Sequence, residues 1–223
     1  MYTIRDMPGQ VPADDLALLS GVETATVGHW RLIGFMHRAI QPLLPRRRVV
    51  GTAVTLAIAG ADSTLLHHAA GLLRPGDILV VDRLGDDKYA CWGGGVTVAV
   101  KASGATAGIV DGPCTDLTEI VESDFPMWAR GLSPITTRIY DLGGGMNIPV
   151  SCGGAVVMPG DAILADESGV LVLPRDEVTA VAEQALAIQE RGKTREASVR
   201  QRTSKLGDLS GASAKVLAKI QPR

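Results

Sequence analysis

The chain has 223 residues, 46% hydrophobic and 21% charged, a balance that supports a buried core and excludes both a disordered polymer and a charged coiled-coil rod. With 22 basic and 24 acidic residues, the net charge of −2 offers no general attraction to nucleic acid or anionic membrane, so neither is expected as a partner and small-molecule work is favoured. Cys91, Cys114 and Cys152 form no CxxC pair, which argues against a thiolate zinc site or a disulfide framework and for reduced thiols. The opening stretch MYTIRDMPGQVPADD lacks the apolar core of a signal peptide, and no run reaches the roughly 18 apolar residues that span a bilayer, so a cytoplasmic protein is expected.

One domain is expected, with an N-terminal segment over 1–48, a core over 49–174 and a C-terminal helical arm over 175–223. Asp14 to Val22 is a short amphipathic segment, and Arg31 to Leu44 reads as a mobile or functional connection ahead of the core. Val49 to Ala59 (VVGTAVTLAIA) is β-branched and mostly apolar, as expected of a strand buried on both faces. Ser63 to Leu73 has helical spacing, with Ser63 as N-cap. Arg74, Pro75, Gly76 and Asp77 then turn the chain into a second buried strand, Ile78 to Asp82. Helix returning to strand is the rhythm of layered α/β folds.

After the glycines of Trp92 to Val96 (WGGGV), a helix is predicted from about Thr97, stopped by Gly104 before a strand at Ala107 to Asp111. Leu117 to Val121 follows as a helical segment, and Phe125 to Pro134 (FPMWARGLSP) reads as a loop carrying a strand that packs an aromatic and exposes Arg130. Pro159 to Asp166 then echoes the turn and strand of Pro75 to Asp82, and Val170 to Leu173 adds another strand; two such units suggest a sandwich or swivelling β/α layer, although a chance recurrence of a common turn gives the same signal. Asp176 is placed to cap a helix over Glu177 to Gln189, whose apolar positions share one stripe. The charged stretch Glu190 to Arg202 is a solvated tail in a monomer and a means of reaching a neighbour in an oligomer.

Chemistry concentrates at two places. Gly93, Gly94 and Gly95 at a helix start offer unblocked amides and a positive dipole end suited to a carboxylate or phosphate, although a plain tight turn uses glycines too. Asp111 and Asp116 flank Gly112 at a strand-to-loop junction, where carboxylates meet a hard cation that keeps its waters; the competing role for Asp116 is that of N-cap to Leu117 to Val121. His67 and His68 are adjacent and point to different helix faces, which marks them as core or surface residues, and Cys114 has no base nearby in sequence.

Together, Val49 to Thr52, PGDILVVD at Pro75 to Asp82, Trp92 and Gly93, the DG of Asp111 and Gly112 with Asp116 beyond, FPMWARG at Phe125 to Gly131, PGDAILAD and GVLVLP at Gly169 to Pro174 resemble the RraA-like proteins and class II 4-hydroxy-4-methyl-2-oxoglutarate aldolases. The resemblance implies an RraA-like layered β/α/β swivelling-type fold with a C-terminal helix, assembled as a trimer or dimer of trimers with an active site at each subunit interface. It implies a divalent metal, Mg2+ or Mn2+, held through Asp116 largely by way of water, and a carboxylate substrate lying on the amides of Gly93, Gly94, Gly95 and Val96. It also implies an acidic residue from a neighbour's C-terminal helix, for which Glu190 and Glu196 are the candidates.

Two positions depart from the aldolase pattern. Thr115 stands where an arginine precedes the metal aspartate, and Gly94 stands where an acidic residue is usual. Thr115 offers one neutral hydrogen bond in place of a bidentate fork, and Arg130 is the candidate to replace the missing cation. The expected activity is therefore a divergent lyase acting on a 2-oxo acid or related enolisable carboxylate, with Asp116, Thr115 and Arg130 as its working side chains. The alternatives are a non-catalytic binding or regulatory protein, as RraA is toward ribonuclease E, and an isomerase in which a turn widened at Gly94 admits a bulkier substrate.

Overall fold

A computed structural model describes residues 1–220; residues 221–223, the end of the expected helical arm, lie outside it. The chain opens with β1 (Tyr2–Ile4), α1 (Ala13–Ser20), α2 (Thr24–Val27) and β2 (Gln41–Pro42). The core then alternates strand and helix: β3 (Val49–Ala57), α3 (Thr64–Ala70), β4 (Asp77–Asp82), α4 (Gly94–Ala102), β5 (Ala107–Val110), α5 (Leu117–Glu122) and β6 (Met127–Ala129). Four short strands follow, β7 (Gly144–Met146), β8 (Val150–Cys152), β9 (Ala155–Val157) and β10 (Ala162–Asp166), then β11 (Gly169–Leu173), and the chain ends in α6 (Val178–Arg200), α7 (Leu206–Leu209) and α8 (Ala212–Leu217).

Strands β3, β4, β5 and β6 are neighbours and parallel, joined in turn by α3, α4 and α5. Alternation along them divides the core between two faces. Val54, Leu56, Leu79, Val81, Val110 and Met127 pack with Leu66, Val100, Ile120 and Phe125 of the helical layer. Ala53, Ile78, Val80, Ile109 and Trp128 face the other way, against the antiparallel hairpin of β8 and β9. Burial on both sides explains why β3 and β4 read as mostly apolar runs without alternation: both faces of the sheet are covered. A third cluster packs α1 and α6 over β10 and β11, through Leu19, Leu164, Leu171, Val181 and Ala185. The layered β/α/β architecture with a C-terminal helix is thus the one expected.

The echo between Pro75 to Asp82 and Pro159 to Asp166 is a real local repeat. Gly76 and Gly160 take the same left-handed backbone, φ +88° and +93°, and both strands lie against β3. Thr52 is the register partner of Asp77 in the parallel pair and of Ala162 in the antiparallel one, so the same device serves opposite edges of β3 in opposite directions.

Three boundaries differ from expectation. Helix α4 starts at Gly94 and not near Thr97, because the glycines form its first turn and are not a loop before it. Ser63 holds the N-cap position of α3 without a side-chain cap; Asp62 instead accepts from the Thr64 N–H and hydroxyl at 3.0 and 2.6 Å. Asp176 lies inside a short 3-10 turn, Arg175–Glu177, and α6 then runs unbroken through the charged stretch to Arg200. Pairs spaced three and four residues apart along its exposed side, Glu190 with Lys193 at 2.8 Å and Glu196 with Arg200 at 3.8 Å, favour that continuation.

Candidate active site

Open parallel sheets present ligands at the carboxyl ends of their strands. Here the segments leaving β3, β4 and β5 converge with the segment 132–139 on one cleft of about 430 Å³. Ser63 and His67, Ala90 and Cys91, Gly93, Gly95 and Val96, and Thr115 and Asp116 line it on the helical side. Thr136, Thr137, Arg138 and Ile139 close it on the other.

The two stretches rich in chemistry are stitched together. The Thr115 N–H donates to the Trp92 carbonyl at 2.9 Å, and the Gly94 N–H donates to Asp116 Oδ2 at 3.0 Å. Trp92 anchors the glycine turn from below: it is fully buried, stacked on Phe125 with centroids 6.3 Å apart, and its indole N–H donates to Thr97 Oγ1 at 2.9 Å. The Thr97 hydroxyl in turn donates to the Gly93 carbonyl at 2.9 Å, fixing the start of α4.

Asp116 sits at the N-cap position of α5 and makes no side-chain cap there. Its left-handed backbone, φ 53° and ψ 44°, turns the carboxylate away from α5 and onto the head of α4. Asp tolerates this conformation better than most residues, yet it is a strained choice that a simple cap would not need. The Thr115 hydroxyl donates to Asp116 Oδ1 at 3.1 Å.

Each glycine has its own reason. A Cβ at Gly93 would lie 2.3 Å from Asp116 Oδ2 and 2.8 Å from Thr115 Cγ2, so the carboxylate occupies that space. A Cβ at Gly94 would lie 1.6 Å from Glu119 Oε2, whereas one at Gly95 would meet nothing within 4 Å. The room at Gly94 is therefore filled by a carboxylate from α5, which removes the widened turn on which an isomerase reading stood. No protein acceptor among the described residues takes the N–H groups of Gly95 and Val96, the free donors of a helix start.

Arg130 is placed elsewhere. Its guanidinium is paired with Asp111, whose second oxygen accepts from the Gly153 N–H at 2.7 Å, and neither residue lines the cleft. Asp111 and Asp116 therefore do not share one site. Glu190 and Glu196 lie exposed on the distal half of α6, paired within their own helix.

Cys91 borders the cleft and Cys114 lies beneath it, both almost wholly buried. Burial pushes the Cys91 thiol up to about 11, against the lowering influence of Arg83, and raises Cys114 well above the usual thiol range, so neither is a ready nucleophile. Arg83 is itself fully buried below the Gly112 turn, with Nε and Nη1 lacking any hydrogen-bond partner.

Asp62 holds the far wall in place. Buried at 2% exposure, it accepts from the Tyr140 and Leu142 N–H groups, each at 2.9 Å, as well as from Thr64. Burial raises its pKa, but the Thr64 hydroxyl and the N–H groups of Tyr140, Thr64 and Leu142 outweigh that and hold it at about 2 against the usual 3.8. A depressed carboxylate stabilises the fold fully above its unfolded value and loses that contribution as pH falls toward 2. Asp62→Asn is expected to lower stability by about 2 kcal/mol at pH 6, with the gap from wild type closing between pH 4 and 2 in chemical unfolding followed by tryptophan fluorescence. A gap that stays constant across that range would remove Asp62 as the latch.

His67, Arg138 and Glu119 are the residues that the sequence did not single out for this site. His67 shares a helix face with Ser63 at a spacing of four, a signal that the HH pair obscured. Glu119 is one turn after Asp116, and Arg138 belongs to a segment with no periodicity at all.

Comparison with known proteins agrees with this architecture. The family described as RraA-like, Aldolase/RraA, matches residues 24–172, and the chain belongs to it. A Halalkalibacterium halodurans protein provisionally named 4-hydroxy-4-methyl-2-oxoglutarate aldolase is 32% identical over 160 residues, covering 72% of this chain and 76% of the relative. An Arabidopsis thaliana protein with the same provisional name is 29% identical over 139 residues, covering 60% and 82%. Streptomyces coelicolor RraAS2, described as an unusual member of the RNase ES inhibitor RraA family, superposes with a TM-score of 0.75 at 24% identity over 86% of this chain and 98% of its own.

Proposed function

We propose that this chain is a divalent-cation-dependent lyase that breaks a carbon–carbon bond beside the carbonyl of a 2-oxo acid, by aldol cleavage or decarboxylation. The observation that carries this reading is the Asp116 carboxylate swung off its own helix onto the Gly94 N–H, next to free amides in an open cleft. The provisional aldolase names of two relatives agree with it.

The donor set suits a hard, hydrated cation. No three His, Cys, Asp or Glu side chains converge among the described residues, so Mg2+ or Mn2+ would rest on Asp116 and water, with Glu119 close by over Gly94. When bound, such a cation polarises the 2-oxo carbonyl and stabilises the negative charge that develops as the neighbouring bond breaks. The Gly95 and Val96 amides and the positive end of α4 orient the substrate carboxylate. His67, exposed at the cleft wall, is positioned to take or return a proton. Assembly as a homotrimer or dimer of trimers in the cytoplasm belongs to the same proposal; Glu190 and Glu196, exposed on α6, would exchange their Lys193 and Arg200 partners to reach a neighbour's cleft.

One observation favours a second reading. Thr115, in place of the arginine of the aldolase pattern, weakens carboxylate binding and suits a binding protein that has lost its chemistry. Assay of oxaloacetate and 4-hydroxy-4-methyl-2-oxoglutarate with Mg2+ separates the two. Pyruvate release that stops on chelation is the expected result, and absence of turnover together with no cation uptake gives the chain to the binding role.

A further inference from the structure

We infer that Arg138 supplies the carboxylate-binding charge of this cleft, in place of the arginine that the family sets at position 115; the inference rests on the reading of the cleft as a 2-oxo acid site. A carboxylate held at an open cleft competes with water and needs more than neutral donors, because charge-assisted forks are roughly twice as strong as neutral hydrogen bonds. Thr115 is a poor substitute, since its single hydroxyl proton is already given to Asp116.

The other nearby cations are spoken for. Arg130 is paired with Asp111, Arg83 has no exposed surface with which to touch a ligand, and Lys88 lies over the Tyr89 ring. Arg138 is the one cation among the described residues lining the cleft, and no described carboxylate lies within ion-pair distance of it.

Its guanidinium is half tied down and half open. Nη1 donates to the Thr136 carbonyl at 2.8 Å, Thr136 Oγ1 at 3.0 Å and the Thr137 carbonyl at 3.1 Å. Nε and Nη2 have no protein acceptor, so one edge of the fork is free while the plane is held. The backbone beneath is fixed too. The Arg138 N–H donates to the Ala61 carbonyl at 2.7 Å, the Ser63 N–H donates to the Arg138 carbonyl at 2.9 Å, and Asp62 clamps Tyr140 and Leu142 just beyond. A preorganised charge of this kind loses little freedom on binding, which is what a carboxylate subsite requires.

Two bindings test this separately. Mn2+ uptake is followed by water proton relaxation, and oxalate, a planar stand-in for the carboxylate and enolised carbonyl of a 2-oxo acid, is titrated by calorimetry. Arg138→Gln is expected to leave Mn2+ affinity within twofold and weaken oxalate about 30-fold. Adding Thr115→Arg to that variant is expected to recover oxalate to within about fivefold of wild type. Oxalate binding unchanged in Arg138→Gln, with Mn2+ still lost in Asp116→Asn, overturns the inference and leaves the lyase reading standing. Oxalate held through Arg138 by a chain that takes up no Mn2+ does the reverse, and a wild type that binds neither overturns both. Oxalate loss that Thr115→Arg does not recover, with a lowered melting temperature, makes Arg138 a prop for the wall and also overturns the inference.

Discussion

Asp116→Asn is expected to fold as the wild type does, within about 1 kcal/mol, and to lose about a thousandfold in cation-dependent turnover. Asparagine tolerates the left-handed backbone that position 116 adopts, and its amide oxygen is able to accept the Gly94 N–H as Oδ2 does. What it lacks is the charge, so the substitution removes the electrostatic hold on a hydrated cation while keeping the local geometry. Alanine is a less clean probe, because it adds a backbone penalty to the loss of charge. Turnover measured against Mg2+ concentration, beside thermal melts, checks both halves. Activity that survives in Asp116→Asn and in excess chelator would end the metal-lyase proposal.

Gly93→Ala and Gly95→Ala form the second contrast, and they differ by two residues in sequence and greatly in effect. At Gly93 the backbone is extended, φ −142°, so alanine is conformationally acceptable and the whole cost is steric. The new methyl would lie 2.3 Å from Asp116 Oδ2, and the carboxylate has to leave the head of α4. A loss of about a hundredfold in turnover is expected, with about 1–2 kcal/mol of stability. At Gly95 the methyl meets nothing within 4 Å and replaces a poor helix former in the first turn of α4. Gly95→Ala is therefore expected to be neutral or stabilising by up to about 1 kcal/mol, with any kinetic change confined to KM as the methyl enters the cleft. Equal losses in the two variants would show that the glycines serve helix formation alone and that the Asp116 contact is incidental.

Much of this architecture is legible in the chain because its period-2 and period-3.6 patterns are local. The runs at β3 and β4, the turns at Gly76 and Gly160 and the aromatic strand at Trp128 follow from residue types within a few positions of one another. The pairing of WGGGV with the segment ending at Asp116 was open in sequence, since Asp116 before an apolar run fits an N-cap equally well. Its φ of 53° decided the matter by directing the side chain to α4. Arg130 and Arg138 show the opposite limit. Both follow the same strand, eight residues apart, and nothing in their neighbours tells which is free; Arg130 meets Asp111 and Arg138 meets no acid among the described residues.

By itself, then, the sequence determined the alternation of strand and helix, the covered sheet, the family and the two loops at which chemistry collects, because those depend on short-range periodicity and turn stereochemistry. The tertiary structure alone decided which carboxylates and cations share a cleft: Glu119 over Gly94, His67 and Arg138 in one cleft with Asp116, and Arg130 and Asp111 kept apart from it. The physical reason is that charge pairing acts between groups tens of residues apart in the chain, and only the packing of the sheet, its helices and the segment pinned by Asp62 fixes which of them meet.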